Sequence, residues 1–252
     1  QVHYTIEGPD SDTVPLVLIH GTSASLHTWD SLTLLLKDKK KIIRFDLPAF
    51  GLTGPNRLNQ YYFNFYNQFI DELLLKLNVT KCIVAGNSLG GSIAWNYAIA
   101  SPNKVKQLIL LDASGYPKKD EKGSLGFKLA AIPVLNQALK HISPISLIRK
   151  SLEDAFYNKA LVTEKMVQQY HDMLLREGNR AAVLELFQHP MKADATKIKT
   201  ITQPTLIIWG KQDQLISYTN ASLFKQDIQD SRVLVLDKVG HIPMEEAPNQ
   251  VA

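Results

Sequence analysis

Short runs of consecutive apolar residues recur along the chain, and most are followed by a segment with apolar residues spaced for one face of a helix. Continuous apolar runs are typical of parallel strands buried on both faces, whereas a 3.6-residue spacing is typical of amphipathic helices. An alternating strand is predicted at 2–6. Buried strands are predicted at 15–19, 41–46, 82–85, 105–111, 204–210 and 232–236. Helices are predicted at 29–36, 63–77, 90–100 and 218–226.

The rhythm changes between residues 116 and 199, where no apolar run predicts a buried strand. Four amphipathic helical segments are predicted there instead, at 125–131, 134–141, 145–157 and 163–187, the last with a break at 178–179. The alternation of strands and helices on either side favours a mostly parallel, doubly wound α/β sheet. We therefore predict a core in two parts, residues 1–115 and 200–252. Residues 116–199 would form an inserted helical lid over the edge where the strands' carboxyl ends meet.

The composition is ordinary for a globular enzyme, with 45% hydrophobic and 21% charged residues among 252. No apolar run approaches the roughly 18 residues that a membrane span needs. The net charge of +4 comes from scattered lysines, and we interpret the densest run, 37–41, as a solvated helix end rather than a nucleic-acid patch. The single cysteine, Cys82, excludes an internal disulfide and a cysteine-ligated metal site.

The sequence shows no pattern for a cofactor or a metal, so we expect neither. The expected partner is a small-molecule substrate, with no nucleic acid and no membrane span, and the sequence leaves the oligomeric state open. The compartment is open as well. Cytoplasmic is the default, and because the sequence begins at Gln1 a trimmed N-terminal signal or anchor is compatible with it.

A serine lies in a tight turn between the strand at 82–85 and the helix at 90–100. Gly86, Ser88 and Gly90 form the pattern G-x-S-x-G, in which a nucleophilic serine sits at the strained apex of a strand-to-helix turn. The glycines allow the strand and the helix to pass close to each other. The amino end of the helix points its amides toward negative charge that forms beside the serine. The pattern makes Ser88 the candidate nucleophile.

A serine hydroxyl needs a base, and the base needs an orienting group. His241 follows the last predicted strand, and Asp213 follows the strand before it, so both lie at the same sheet edge as Ser88. Asp112 also ends a strand and is the alternative acid, but the small residues after it suit an exit into the lid. We therefore predict His241 as the base and Asp213 as the orienting acid.

Two amides are needed to stabilise the oxyanion. We predict the N–H of Leu89, directly after the nucleophile, and the N–H of Thr22, with Ser23 as the second choice. His20 precedes this loop and is expected to brace it through hydrogen bonds. The remaining histidines are expected to serve packing or solvation: His3, His27, His141, His171 and His189. The sequence assigns no purpose to Asn87.

Five segments together resemble the α/β-hydrolase fold superfamily. They are His20-Gly21, the turn at 46–54, Gly86-Asn87-Ser88-Leu89-Gly90-Gly91, Trp209-Gly210-x-x-Asp213 and Gly240-His241-Ile242-Pro243. The resemblance covers the chain apart from the lid, and it implies a Ser88–Asp213–His241 triad under a helical cap. Haloalkane dehalogenases and epoxide hydrolases of this superfamily carry an aspartate nucleophile, so Ser88 speaks against both.

In its motifs the chain most resembles carboxylesterase-like enzymes and the carbon–carbon hydrolases of ring meta-cleavage products. It departs from the latter in the loop at 22–25, where they usually have a glycine-rich segment, and has Ala49 where relatives often have glycine. Those hydrolases also use a cap arginine for the substrate carboxylate. Arg176, Arg180 or neither could have that role here.

The sequence therefore predicts a serine hydrolase that cleaves a small or medium carboxylic ester through an acyl-enzyme. The alternative is a carbon–carbon bond hydrolase of the meta-cleavage type, suggested by Asn87 and the basic balance of the chain. A non-catalytic binding module is disfavoured, because none of the predicted catalytic residues is lost.

Overall fold

The fold is given by a computed structural model that describes residues 1–117 and 142–252. The predicted helices at 125–131 and 134–141, and with them His141, lie outside the described residues.

In these two ranges the strands form a seven-stranded sheet in the order β1-β3-β2-β4-β5-β6-β7. The strands are β1 Tyr4–Glu7, β2 Leu16–Ile19, β3 Ile42–Phe45, β4 Cys82–Asn87, β5 Val105–Leu111, β6 Thr205–Gly210 and β7 Ser231–Leu236. β1 pairs with β3 in the antiparallel sense, and the other neighbours are parallel. The predicted α/β fold with a mostly parallel sheet is confirmed.

Helices connect the strands and cover the sheet. In the core they are α1 Asp30–Leu36, α2 Phe63–Lys76, α3 Leu89–Ala100, α7 Thr219–Asp227, α8 Pro243–Glu246 and α9 Pro248–Val251. Between β5 and β6 the described residues form α4 Ile145–Ala155, α5 Glu164–Leu175 and α6 Asn179–Gln188. Short 3-10 turns occur at Leu26–Trp29, Lys159–Leu161 and Ala195–Thr200. None of the helices in the described part of the chain has the length and apolar character needed to cross a lipid bilayer.

The sheet is buried on both faces, as its continuous apolar runs require. Every residue of β2 is buried. Val17 and Ile19 belong to one hydrophobic cluster, while Leu16 and Leu18 belong to another. Because side chains alternate between the two faces of a strand, these clusters are the two layers of core that sandwich the sheet.

The carboxyl ends of the central strands meet at one edge. Ile19 at the end of β2 pairs with Gly86 of β4, and Asn87 pairs with Leu111 at the end of β5. Gly210 at the end of β6 pairs with Leu236 at the end of β7. The loops that follow these strands therefore leave the sheet side by side, and this is the edge at which α/β sheets bind ligands.

The inserted helices α4–α6 are hydrogen-bonded to the core beside this edge. The carbonyl of Ala155, the last residue of α4, accepts a 2.7 Å hydrogen bond from the amide of His241. The carboxylate of Glu246 accepts hydrogen bonds from the amides of Tyr157 and Asn158, just beyond α4. The division into residues 1–115, 116–199 and 200–252, and the lid role of the middle part, stay predictions.

A second carboxyl group links the insertion to the core. Glu245 of α8 accepts hydrogen bonds from the hydroxyl of Tyr170 in α5 and from the hydroxyl of Thr28. Burial raises the pKa of Glu245 to about 7 from 4.5, although the two hydroxyl donors act in the opposite direction. The bridge thus contains a group that changes its charge near neutral pH.

We expect Glu245 to make stability depend on pH. Its pKa is higher in the folded state, so between pH 4.5 and about 7 the folded protein holds a proton that the unfolded chain has lost. This stabilisation is complete below pH 4.5 and is lost as the pH rises to about 7, at up to ~1.4 kcal/mol per pH unit. Glu245→Gln should remove this slope in urea unfolding measured across that range. Glu72→Gln, at an exposed position of α2, is the matched control, and an unchanged slope in Glu245→Gln would contradict the prediction.

Candidate active site

Ser88 lies at the apex of the turn between β4 and α3, with φ 55° and ψ −117°. A non-glycine residue at positive φ is strained, and here hydrogen bonds on both sides hold it. The Ser88 amide donates to the carbonyl of Leu111, and its own carbonyl accepts from the amide of Ser114, both at 3.1 Å. The turn is thereby attached to the end of β5.

The two glycines of the turn are required by close backbone contacts. A Cβ at Gly86 would lie 2.2 Å from the carbonyl oxygen of Gly90, and a Cβ at Gly90 would lie 2.2 Å from that of Ile19. No side chain fits at such distances, so α3 can pass directly over the ends of β2 and β4 only with glycine at both positions. This contact explains the spacing of the G-x-S-x-G pattern.

His241 and Asp213 form a buried pair at the same edge. The imidazole Nδ1 lies 2.7 Å from Oδ2 of Asp213, whose side chain is fully buried. The other oxygen, Oδ1, accepts the amides of Leu215 at 2.7 Å and Ile216 at 3.0 Å. Since the carboxylate accepts at Nδ1, it assigns the imidazole proton to that nitrogen, and Nε2 becomes the basic nitrogen.

A cavity of about 170 Å³ opens between this edge and the inserted helices. Thr22, Ser23, Ser88 and His241 all line it from the core. The wall from α4–α6 is mostly apolar and includes Leu147, Ile148, Leu152, Val183, Leu184 and Phe187. Polar groups on that side are fewer: Ser143, Ser151, Tyr170 and Arg180. The predicted nucleophile and base thus lie on one apolar cavity.

His20 fixes the loop that carries Thr22. Its Nδ1 donates to the carbonyl of Gly21 at 2.8 Å, and its Nε2 accepts the amide of Leu47 at 2.9 Å. Complete burial lowers the pKa of His20, which favours this neutral form. The carbonyl of Gly21 and the N–H of Thr22 belong to one trans peptide and point in opposite directions. The hydrogen bond to Gly21 therefore also sets the direction of the Thr22 N–H.

Asn87, which the sequence left without a purpose, joins the serine turn to the histidine loop. Its side-chain amide donates to the carbonyl of Leu111 at 3.2 Å and to the carbonyl of His241 at 2.9 Å. The second partner lies 154 positions away along the chain, and no local pattern signals such a contact.

The structure also gives the positions of the two candidate arginines, the cysteine and the other histidines. Arg176 donates from Nε to the carbonyl of Leu52 at 2.9 Å, whereas Arg180 lines the cavity. Cys82 is buried in β4, and burial raises the pKa of its thiol to about 12, so it is unreactive near neutral pH. The described histidines outside the cavity bond elsewhere: His3 to Asp46, His27 to Asp30, His171 to Ser143 and His189 to Glu185.

The alternative acid, Asp112, lies behind Asp213. In the described part of the chain, Asp112, Asp213 and His241 form the one group of three with metal-ligating atoms within 4.8 Å of one another. The short Asp213–His241 hydrogen bond assigns two of the three to each other rather than to a metal. Asp213, not Asp112, carries the hydrogen bond to the imidazole.

Comparison with known proteins agrees with this architecture. A family model described as the alpha/beta hydrolase fold matches residues 14–248. An uncharacterised hydrolase of Bacillus subtilis, YugF, is 27% identical over 99% of this chain and 90% of its own. Lipase 1 of Psychrobacter immobilis is 26% identical over 94% of this chain and 74% of its own. The structure of the meta-cleavage product hydrolase CumD from Pseudomonas fluorescens superposes with a TM-score of 0.85 at 23% identity, over 99% and 90% of the two chains.

A mostly parallel sheet with a strained serine in the turn after a central strand is typical of α/β-hydrolases. Because the family model spans nearly the whole chain, this protein belongs to the α/β-hydrolase fold family. The resemblance drawn from the sequence motifs is confirmed.

Replacing Asn87 should damage the site more than the fold. Asn87→Ala leaves the buried carbonyl of His241 without this donor, which costs about 1–3 kcal/mol of stability. The carbonyl of Leu111 keeps the hydrogen bond from the Ser88 amide. We expect labelling of Ser88 by a fluorophosphonate to slow ~10-fold or more, because the His241 loop loses its tie to the serine turn. Asn87→Asp should be worse, since a buried carboxylate would face two carbonyl oxygens.

The matched control is Asn96→Ala, which removes a side-chain amide that donates to the carbonyl of Ser92 within α3. Labelling at the wild-type rate in a folded Asn87→Ala protein would show that the contact does not position His241.

Proposed function

We propose that this protein is a serine hydrolase that cleaves carboxylic esters with a small or medium apolar acyl group. The observation that carries the proposal is that Ser88 and His241 line one mostly apolar cavity, and that Asp213 is hydrogen-bonded to His241. The relatives named as lipases support the same reaction class.

The reaction proceeds through an acyl-enzyme. His241 Nε2 takes the proton of the Ser88 hydroxyl as the oxygen attacks the ester carbonyl, and the proton then goes to the leaving alcohol. Asp213 holds the imidazole through Nδ1 and stabilises its positive charge. Water, activated by the same imidazole, then attacks the acyl group and releases the carboxylic acid, so Ser88 is regenerated.

The amides of Thr22 and Leu89 are proposed to stabilise the oxyanion. Leu89 is the first residue of α3, so its N–H has no partner within the helix and the helix dipole adds to its effect. His20 supports the role of Thr22, because its bond to the carbonyl of Gly21 orients the shared peptide. Ser23 also lines the cavity and is the second choice, as the sequence indicated.

The alternative, hydrolysis of a carbon–carbon bond in a dienoate substrate, is favoured by one observation. Arg180 lines the cavity and places a positive charge near a bound substrate carboxylate, whereas Arg176 does not line the cavity. The likeness to CumD concerns the fold. The apolar character of the rest of the wall favours the ester, and the intact set of Ser88, Asp213 and His241 disfavours a binding module.

Ser88→Ala is expected to lower kcat for a short p-nitrophenyl ester by at least ~10³-fold with an unchanged melting temperature, because the acyl-enzyme cannot form. A fluorophosphonate should label Ser88 in the wild type, as read by peptide mass spectrometry. Full ester turnover by the variant, purified free of host esterases, would reject the proposal. Failure to label Ser88 in folded protein would instead support the binding module.

Two arginine variants distinguish ester hydrolysis from carbon–carbon bond hydrolysis. If the substrate is a neutral ester, Arg180→Gln and Arg176→Gln should both keep kcat/KM within about threefold. If it is a dienoate acid, Arg180→Gln alone should raise KM ~10-fold or more, since a charged hydrogen bond is lost. Turnover of a dienoate panel faster than of any ester would favour the alternative.

A further inference from the structure

The proposed base has two carboxyl groups behind it. Asp112 directly follows β5, has φ 45° and is completely buried. Its Oδ1 accepts the amide of Gly210 at 2.9 Å. No donor in the described part of the chain reaches its Oδ2, although this oxygen is inaccessible to solvent.

Asp112 lies against Asp213, which has far better partners for a negative charge. The carboxylate of Asp213 accepts the amides of Leu215 and Ile216 and the imidazole of His241. Hydrogen bonds from donors stabilise the charged form of a carboxyl group, and Asp213 has three where Asp112 has one. The charge of the pair therefore resides on Asp213.

Carboxylate oxygens of Asp112 and Asp213 lie within 4.8 Å of each other. In a buried site, repulsion at this distance opposes the ionisation of both carboxyl groups. Burial raises the pKa of Asp112 well above its ordinary value, and the negative charge of Asp213 acts in the same direction. Glu246 of α8 adds to the effect, whereas the amide of Gly210 opposes it. A proton on Asp112 would also give its unpaired oxygen the hydrogen bond that it lacks.

We propose that Asp112 is a positioning residue that stays a carboxylic acid at neutral pH and shares its proton with Asp213. The two carboxyl groups behind His241 then carry one negative charge. The proton forms a hydrogen bond from Asp112 to the Asp213 carboxylate, and so holds that carboxylate in place.

The proton on Asp112 also limits the negative charge near the imidazole of His241. A second negative charge within 4.8 Å would stabilise the protonated imidazole and move the acid limb of the pH–rate profile to higher pH, by about one to three units. This kinetic consequence rests on the proposed hydrolase function, whereas the protonation of Asp112 does not.

Asp112→Asn tests the proposal, because the amide is neutral, accepts from Gly210 and donates to Asp213. We expect kcat/KM within about threefold of wild type and an acid limb moved by less than ~0.3 pH unit. Asp112→Leu fills a similar volume without the donor, and should lower kcat by about 10-fold with little change in KM. An acid limb that moves down by a unit or more in Asp112→Asn would show that Asp112 is ionised in the wild type, and would overturn the proposal.

Infrared spectroscopy gives a readout that needs no turnover. Protein labelled with ¹³C at the aspartate carboxyl should show the carbonyl stretch of a protonated acid at pH 7, shifted in D₂O and lost in Asp112→Asn. The Ser88→Ala protein should show the same band. If the protein shows no ester hydrolysis, the infrared band therefore still tests whether Asp112 is protonated. If Asp112→Asn does not fold, the labelled wild type still decides, because absence of a protonated aspartate band at pH 7 overturns the proposal.

Discussion

The position of the histidine relative to the serine depends on one buried side-chain amide. Asn87 directly precedes Ser88 and donates to the carbonyl of His241. The same loop is held from two other sides, because Glu246 accepts the amide of Gly240 at 2.6 Å and Ala155 accepts the amide of His241. These bonds come from β4, α8 and the inserted α4. Three separate parts of the chain thus fix a loop that has little regular structure of its own.

The buried polar groups around the cavity are fixed by hydrogen bonds in the same way. Burial lowers the pKa of His20, and the carboxylate of Asp213 accepts three hydrogen bonds. In an apolar cavity, fixed hydrogen-bond donors act more strongly than in water. The amino end of α3 faces the same region as Ser88. The proposed ester hydrolysis, which creates an oxyanion, would use this arrangement.

Most of the fold, and the edge at which the site lies, could be predicted from the sequence. Apolar runs mark strands that are buried on both faces, and Ser88, Asp213 and His241 each follow such a run. The contact of Asn87 with the His241 loop and the choice between Arg176 and Arg180 could not be predicted in this way. Asn87 bonds to a residue 154 positions away, and Arg180 reaches the cavity only because α5 and α6 turn at Gly178, which has φ 84°. Such contacts are set by packing, which local periodicity does not encode.

The inserted helices line the cavity and also contact the loop of His241, the proposed base. The last carbonyl of α4 bonds to the amide of His241, while Leu152 and Ala155 of the same helix line the cavity. A shift of α4 to admit a larger acyl group would therefore pull on His241. The apolar side chains farther along, on α6, make no such bond, so their substitution can change the cavity without moving the imidazole. Under the proposed ester hydrolysis, acyl preference is thus expected to vary through α6 more readily than through the end of α4.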